Sequence, residues 1–245
     1  MDKIAVISDI HGNIPALQAV LDDIQAREIK RIFCLGDLVG KGPDSSTSID
    51  IVKQRCEMVI KGNWDDFITA PNESQTIQWH QKQLTLAHKE YLKSLPFSVE
   101  FMISGRLIRM FHASPRSLYD RVQPWHPIEK RMSLFENTKL TENIAGEREP
   151  DVILYGDVHN AYIQNLAGRS LCNVGSVGNP LEITQASYVI LEGKYGQKDT
   201  GSFSIQFVRV PYDIDYALKL AKDVEMPEYE EYVLELTTAK YRGNK

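Results

Sequence analysis

Sulfur is scarce in this chain. Its 245 residues contain three cysteines, Cys34, Cys56 and Cys172. They are odd in number, scattered and without a C-x-x-C spacing, so a disulfide framework is not expected. Free, buried thiols in a reducing compartment are. Long apolar runs are also missing. Met1-Asp2-Lys3 leads into only a short apolar stretch, too short for the core of a signal peptide, and no segment reaches bilayer-spanning length. The expected location is the cytoplasm, with no membrane partner. Nor is there an excess of positive charge: 28 Lys and Arg stand against 33 Asp and Glu, a formal net charge of -5. Extended nucleic acid is therefore a poor partner, because neutralising its phosphates needs clustered basic residues. A small phosphorylated ligand remains compatible if bound cations supply positive charge locally.

Three familiar phosphate or nucleophile motifs are missing too. Gly36-x-x-x-Gly40-Lys41-Gly42 is one residue short of a P-loop and has no following Ser or Thr. Val174-Gly175-Ser176-Val177-Gly178 has its first glycine misplaced for a nucleophile elbow. No G-x-G-x-x-G follows the first strand, so a dinucleotide cofactor is not indicated.

What is present reads as one globular α/β domain spanning 1–245, with 42% hydrophobic and 25% charged residues. Ile4–Ile7 predicts a buried strand. Ile14–Arg27 predicts a helix with Leu17, Val20, Leu21 and Ile24 on one face and Pro15 in its first turn. Strands at 31–35 and 57–60 flank a helix at 46–55, and this alternation argues for an α/β sheet. Further strands are predicted at 98–103 and 106–111, 151–155, 162–166 and 170–174, 186–191 and 202–210. Helical stretches are expected at about 65–95, partly overhanging a site, at about 128–144, and in a tail from about 213 to 240 broken at Pro227.

The chemistry clusters at strand ends. Five apolar strands each lead into metal-binding residue types: Ser8-Asp9-Ile10-His11-Gly12-Asn13, Gly36-Asp37, Gly62-Asn63-Trp64-Asp65, His112-Ala113-Ser114-Pro115 and Gly156-Asp157-Val158-His159. Ligands gather at the carboxyl ends of strands in open α/β sheets, so these five segments should converge. Any one of them alone is an ordinary polar loop; the joint occurrence is what carries weight. Oxygen donors mixed with imidazoles, without thiolates, suit manganese, iron or zinc better than calcium. The candidates are too many for one tetrahedral ion, and two ions sharing a carboxylate fit the count.

These motifs, in this order, resemble the signature of calcineurin-like metallophosphoesterases over residues 4 to about 190. The stretches 36–44 and 173–180 look like the compact bacterial branch. Trp64 with the tail around Tyr212-Asp213 and Leu220–Asp223 is similar to streptococcal diadenosine-tetraphosphate hydrolases. The resemblance implies a four-layer αββα sandwich with metals at one rim. It implies that Asp9, His11 and His159 hold one metal, that Asp37 bridges, and that Asn63 and His112 hold the second. Asn63 and His112 would be the catalytic pair. The ions would be two divalent or mixed-valence metals, manganese and/or iron, with zinc or magnesium as alternatives. The substrate would be a small nucleotide-type phosphodiester or phosphoanhydride, attacked in line by a water that the ions acidify. Asn13, Lys41, Trp64 and Arg116 are candidates for contacting it. Whether the chain is a monomer or a homo-oligomer stays open.

Two departures qualify the resemblance. The family's usual proton-donating His is Trp64 here, whose indole N–H is not a usable acid. Good leaving groups are then favoured over alkyl alcohols. The family's usual His ligand is Asp157 here, which is expected to ligate the second metal and to favour manganese or magnesium. A broad phosphatase, including one acting on phosphoproteins, is the enzymatic alternative. A metal-binding scaffold or sensor without turnover is the alternative of another class.

Overall fold

The computed structural model of the chain describes residues 1–243. Two five-stranded sheets face each other. The first contains β1 (Asp2–Ile7), β2 (Arg31–Cys34), β3 (Met58–Val59), β9 (Ala186–Gly193) and β10 (Ser204–Val210), in the order β10-β9-β1-β2-β3. The second contains β4 (Ser98–Ile103), β5 (Arg106–Phe111), β6 (Val152–Tyr155), β7 (Tyr162–Leu166) and β8 (Arg169–Asn173), in the order β4-β5-β6-β8-β7. Within each sheet one run of three strands is parallel: β1, β2 and β3 in the first, β5, β6 and β8 in the second. Each run therefore directs its carboxyl ends to one edge of its sheet. The outer strands pair antiparallel.

The alternation of side chains along each strand builds the layers. In β1, Ile4 and Val6 enter the core between the sheets, while Ala5 and Ile7 pack under helices. Ile153 and Tyr155 of β6 face an outer cluster, and Val152 and Leu154 face inward. Strands buried on both faces are apolar at nearly every position, which is why β1 and β6 appear as runs of Ile, Val and Leu. Helices α1 (Ile14–Ala26) and α2 (Ser45–Arg55) cover the first sheet with Leu17, Val20, Leu21, Ile24, Ile49 and Val52. The segment expected to be helical at 65–95 comprises α3 (Asn63–Phe67), α4 (Gln75–Lys82) and α5 (Leu86–Ser94). The tail forms α7 (Ile214–Asp223) and α8 (Tyr229–Thr238), which pack together through Ala217, Ala221, Tyr232 and Leu236.

The helix expected over 128–144 is corrected. Only α6 (Ile128–Met132) and a 3-10 turn over Ser133–Phe135 form. The reason is Arg109 on β5, which is fully buried. Besides Glu100 Oε1 at 2.6 Å, its guanidinium takes the Glu136 carbonyl at 2.8 Å, Asn137 Oδ1 at 2.5 Å and Asn143 Oδ1 at 3.1 Å. A buried charge needs all its acceptors, and the chain wraps around it instead of continuing a helix. The thiols also differ slightly from expectation. Cys34 and Cys172 are buried, but Cys56 is only partly covered.

Candidate metal centre

The segments following β1, β2, β3, β5 and β6 meet at one rim. Main-chain bonds continue the parallel ladder past the strands: Asp9 N–H donates to Gly36 O and His11 N–H to Asp37 O, each at 3.0 Å. The segment after β8 closes the other side, with Gly178 N–H on Asp9 O at 3.0 Å. Six of the expected site residues adopt left-handed backbone: Asp9 at φ 53°, His11 at 50°, Asp37 at 53°, Lys41 at 57°, Asp157 at 63° and His159 at 58°. Such a conformation costs an L-residue about 1–2 kcal/mol and persists only where the surroundings enforce it. Two glycines allow the close approach. A Cβ on Gly62 would strike Asp37 Oδ1, and one on Gly156 would strike Ser8 Oγ and lie 2.6 Å from Asp9 Oδ2.

Two groups of potential ligands result, Asp9 with His11 and His159, and Asp9 with Asp37 and His112. All five side chains are buried. Each imidazole is aimed by its other nitrogen, a common device in metal sites. His11 Nδ1 lies 2.9 Å from Val39 O, His112 Nδ1 2.7 Å from Leu35 O, and His159 Nδ1 2.6 Å from Asn179 O. A carbonyl only accepts, so each Nδ1 carries the proton and each Nε2 turns inward. His11 Nε2 and His159 Nε2 then stand 3.2 Å apart. Two lone pairs at that distance repel unless a positive charge lies between them.

The carboxylates are arranged the same way. Asp9 Oδ2 accepts the Asp157 amide at 3.2 Å, while buried Asp9 Oδ1 has no hydrogen-bond partner. Asp37 Oδ1 accepts the Trp64 amide at 2.8 Å, and its Oδ2 lies 3.4 Å from His112 Nε2 and 3.6 Å from His11 Nε2. His112 Nε2 is likewise buried without a hydrogen bond. Orphaned buried acceptors are costly, and a cation satisfies them. The donor set therefore fits metal ions, with Asp9 common to both groups and Asp37 set between His11 and His112.

Electrostatics separate the imidazoles. Burial, helped by Lys41 and His159, pushes His11 well below its ordinary value. Burial also opposes charge on His112, but Asp37 outweighs it and lifts His112 well above, so a cation taking up its Nε2 would displace a proton. Burial raises Asp37 despite His112. Burial works in the same direction on Asp9, where His159, His112 and His11 together win and hold the carboxyl well down.

The remaining sequence candidates divide. Asn63 donates Nδ2 to Asp157 Oδ1 at 2.9 Å. Trp64 and Lys41 line a cleft of about 750 Å³ together with Asp37, Asp157 and His159. The Trp64 ring also packs on Phe67 at 4.8 Å and edge-on to His11 at 5.7 Å. Lys41 donates to Asn179 Oδ1 at 3.0 Å. Asn13 is corrected: it is fully buried, caps α1 through Ala16 N–H, and spends its Nδ2 on Gly178 O at 2.8 Å. Arg116 is corrected too. Its guanidinium is consumed by Asp120 at 3.0 Å, Glu136 at 3.2 Å and Ser133 O at 2.8 Å, and it does not line the cleft. Asp157 belongs to neither ligand group.

Some participants carry no sequence signal. Arg121 forks onto Asp157 from an irregular segment. The tail residues Ala239–Arg242 form part of the cleft wall, anchored by Arg242 on buried Glu235 at 2.7 Å. Asp65 was within reach, since it follows Gly62-Asn63 directly. Its carboxylate takes the amides of Asp37 at 2.8 Å, Leu38 at 2.9 Å and Gly62 at 3.0 Å, clamping two of the loops. Burial, with Asp37 adjacent, raises it to about 7 against those amides.

Comparison with known proteins bears on this geometry. The Calcineurin-like phosphoesterase superfamily domain matches residues 2–196. A protein of Methanocaldococcus jannaschii, named as uncharacterized, is 30% identical over 256 residues, covering 92% of this chain and 94% of its own. A symmetrical bis(5'-nucleosyl)-tetraphosphatase of Erwinia tasmaniensis is 38% identical over 63 residues, which is 24% of this chain and 23% of that enzyme. Among solved structures, a metallophosphoesterase from Sphaerobacter thermophilus is similar in fold, with TM-score 0.74, 24% identity and coverage of 97% of this chain and 99% of that one.

Proposed function

The chain belongs to the calcineurin-like phosphoesterase superfamily, and on that premise we propose that it hydrolyses a phosphodiester or phosphoanhydride bond in a small nucleotide-type substrate, such as a dinucleoside polyphosphate. The observation that supports this most is the convergence of Asp9, Asp37, His11, His112 and His159 with Asp9 Oδ1 and His112 Nε2 left without hydrogen bonds. Asp9, His11 and His159 would hold one divalent cation, and Asp37, His112 and Asn63 a second, with Asp9 common to both groups of ligands. When bound, such a pair supplies Lewis-acid charge for phosphoryl oxygens and makes a water nucleophilic near neutral pH.

The chain's own residues orient this chemistry. Backbone carbonyls fix the ring of each histidine so that Nε2 faces the centre. Asp65 ties the loops carrying Asp37 and Asn63 together. Trp64 closes one wall beside His11. The indole offers no proton to a departing oxygen, so the reading favours leaving groups of low pKa. Trp64 also supplies its amide to Asp37, a part that any side chain at this position preserves.

The direct test is a substrate panel with added manganese: diadenosine tetraphosphate, bis-p-nitrophenyl phosphate and glycerol phosphate. We expect kcat/KM on the first two to exceed that on the alkyl monoester. An equal or larger value on glycerol phosphate would overturn the leaving-group argument. Folded protein that turns over none of them with any divalent metal would favour the scaffold reading.

A further inference from the structure

Arg121 lies on the irregular segment between β5 and α6, a few residues beyond the arginine that the sequence singled out. Its guanidinium meets the Asp157 carboxylate as a fork, with Nε 2.9 Å from Oδ2 and Nη2 3.0 Å from Oδ1. The partners differ sharply in exposure. The Asp157 side chain is 2% exposed and that of Arg121 48%. The anchor is thus buried while the guanidinium reaches the cleft, which both residues line together with Asp37 and His159.

Asp157 has a second partner. It accepts Asn63 Nδ2 on Oδ1 at 2.9 Å. With that amide hydrogen committed, Asn63 keeps its carbonyl oxygen for the centre. Three N–H groups already fall on the Asp157 carboxylate, and it stands outside both ligand groups. Among the described residues no hydrogen bond leaves Arg121 Nη1.

We propose that Arg121 binds a phosphoryl group of the substrate, and that Asp157 positions Arg121 and Asn63 instead of holding a cation. This rests on the phosphoesterase reading of the site. The floor of the cleft carries carboxylates that would repel an incoming phosphate. Pairing with Arg121 removes the charge of Asp157 from that account and leaves the outer guanidinium edge facing the anion. An arginine already held by a fork has little freedom left to lose on binding, and its planar donors match phosphate oxygens. Two of the other cations of the cleft are engaged elsewhere, and the third lies on the tail. Arg242 is tied to Glu228 and Glu235, Lys41 donates to Asn179, and Lys240 belongs to the tail.

The test compares Arg121→Ala, Arg121→Lys and Asp157→Asn with the wild type, each as the full chain loaded with manganese. Metal content is read by elemental analysis and inorganic phosphate binding by calorimetry, alongside kcat and KM on bis-p-nitrophenyl phosphate. We expect Arg121→Ala to keep the wild-type metal content, to weaken phosphate binding about tenfold or more, and to raise KM more than it lowers kcat. Arg121→Lys keeps the charge without the fork and should fall between, which covers misfolding of the alanine variant. Asp157→Asn should retain its metal and weaken phosphate in the same direction. Loss of an ion from Asp157→Asn alone would make Asp157 a ligand and overturn the proposal, as would unchanged phosphate affinity in Arg121→Ala. Phosphate binding is read without turnover, so a wild type that hydrolyses nothing would sink the phosphoesterase reading while leaving this measurement decisive for Arg121.

Discussion

The two sides of the centre are built differently. On the side of Asp9, His11 and His159, the backbone does the aiming: left-handed residues follow β1 and β6, and the two imidazoles are held by main-chain carbonyls. On the side of Asp37, His112 and Asn63 the same backbone devices recur, with Asp37 left-handed and His112 held by Leu35 O, but side chains are added to them: Asp65 grips the loops and Asp157 holds the Asn63 amide and Arg121. Backbone geometry tolerates little substitution, whereas a network of side chains can be re-cut by changing one residue. The chain departs from the pattern that the resemblance implies at Trp64, whose amide holds Asp37, and at Asp157, whose carboxylate holds Asn63, while the Trp64 ring and the Asp157 amide reach His11 and Asp9 on the first side.

The comparison breaks most severely at Asp9, the residue common to both groups. Asp9→Ala should lose metal on both sides, and hydrolysis of bis-p-nitrophenyl phosphate should fall on the order of 10³-fold, since under the proposed function preorganised charge is the main source of rate. Retention of full metal content by elemental analysis would contradict the shared role. Gly156→Ala probes the backbone-built side by itself. Its Cβ would press on Ser8 Oγ and Asp9 Oδ2, so overpacking should cost about 1–3 kcal/mol in urea unfolding. An unchanged unfolding midpoint would mean that the loop yields easily and that the first side is no more rigid than the second.

The smallest effect lies behind the cleft, where His80 packs edge-on to Trp64, and it gives a background to subtract. His80 is buried beside Trp79 and Trp64, and burial lowers its pKa to about 4. A histidine whose folded value is depressed contributes stability that is present above its unfolded value near 6.5 and is lost as the pH falls toward 4. Between pH 7 and pH 6 this predicts a loss on the order of 1 kcal/mol or less, absent in His80→Gln. An equal pH response in that variant would assign the effect to another group.

Much of this was legible in the residues. The apolar runs announced the strands because strands buried on both faces leave few polar positions, and Arg109 on β5 is tolerated only with its full set of acceptors. Hairpins turned where Ser104-Gly105 and Ala167-Gly168 take positive φ, at 45° and 80° and at 50° and 81°, as tight turns of that hand require. Asp9, His11, Asp37, His112 and His159 stood out because each falls in the short segment just beyond the carboxyl end of a strand. Asn13 and Arg116 misled because residue type says nothing of what a side chain meets. The amide of Asn13 caps a helix, and the Arg116 guanidinium finds Asp120 before it can find the cleft. The loop over 136–144 misled for a related reason, since its partner, Arg109, lies on a distant strand.

By itself, then, the order of residues determined the layered α/β architecture and which polar groups stand at strand ends, because period and strand boundaries are local properties of the chain. Only the tertiary structure decided which of those groups share a centre, which nitrogen of each imidazole faces it, and that Arg121 and the tail belong to its cleft. Those outcomes depend on hydrogen bonds and packing between segments far apart in the chain, and no local pattern encodes them.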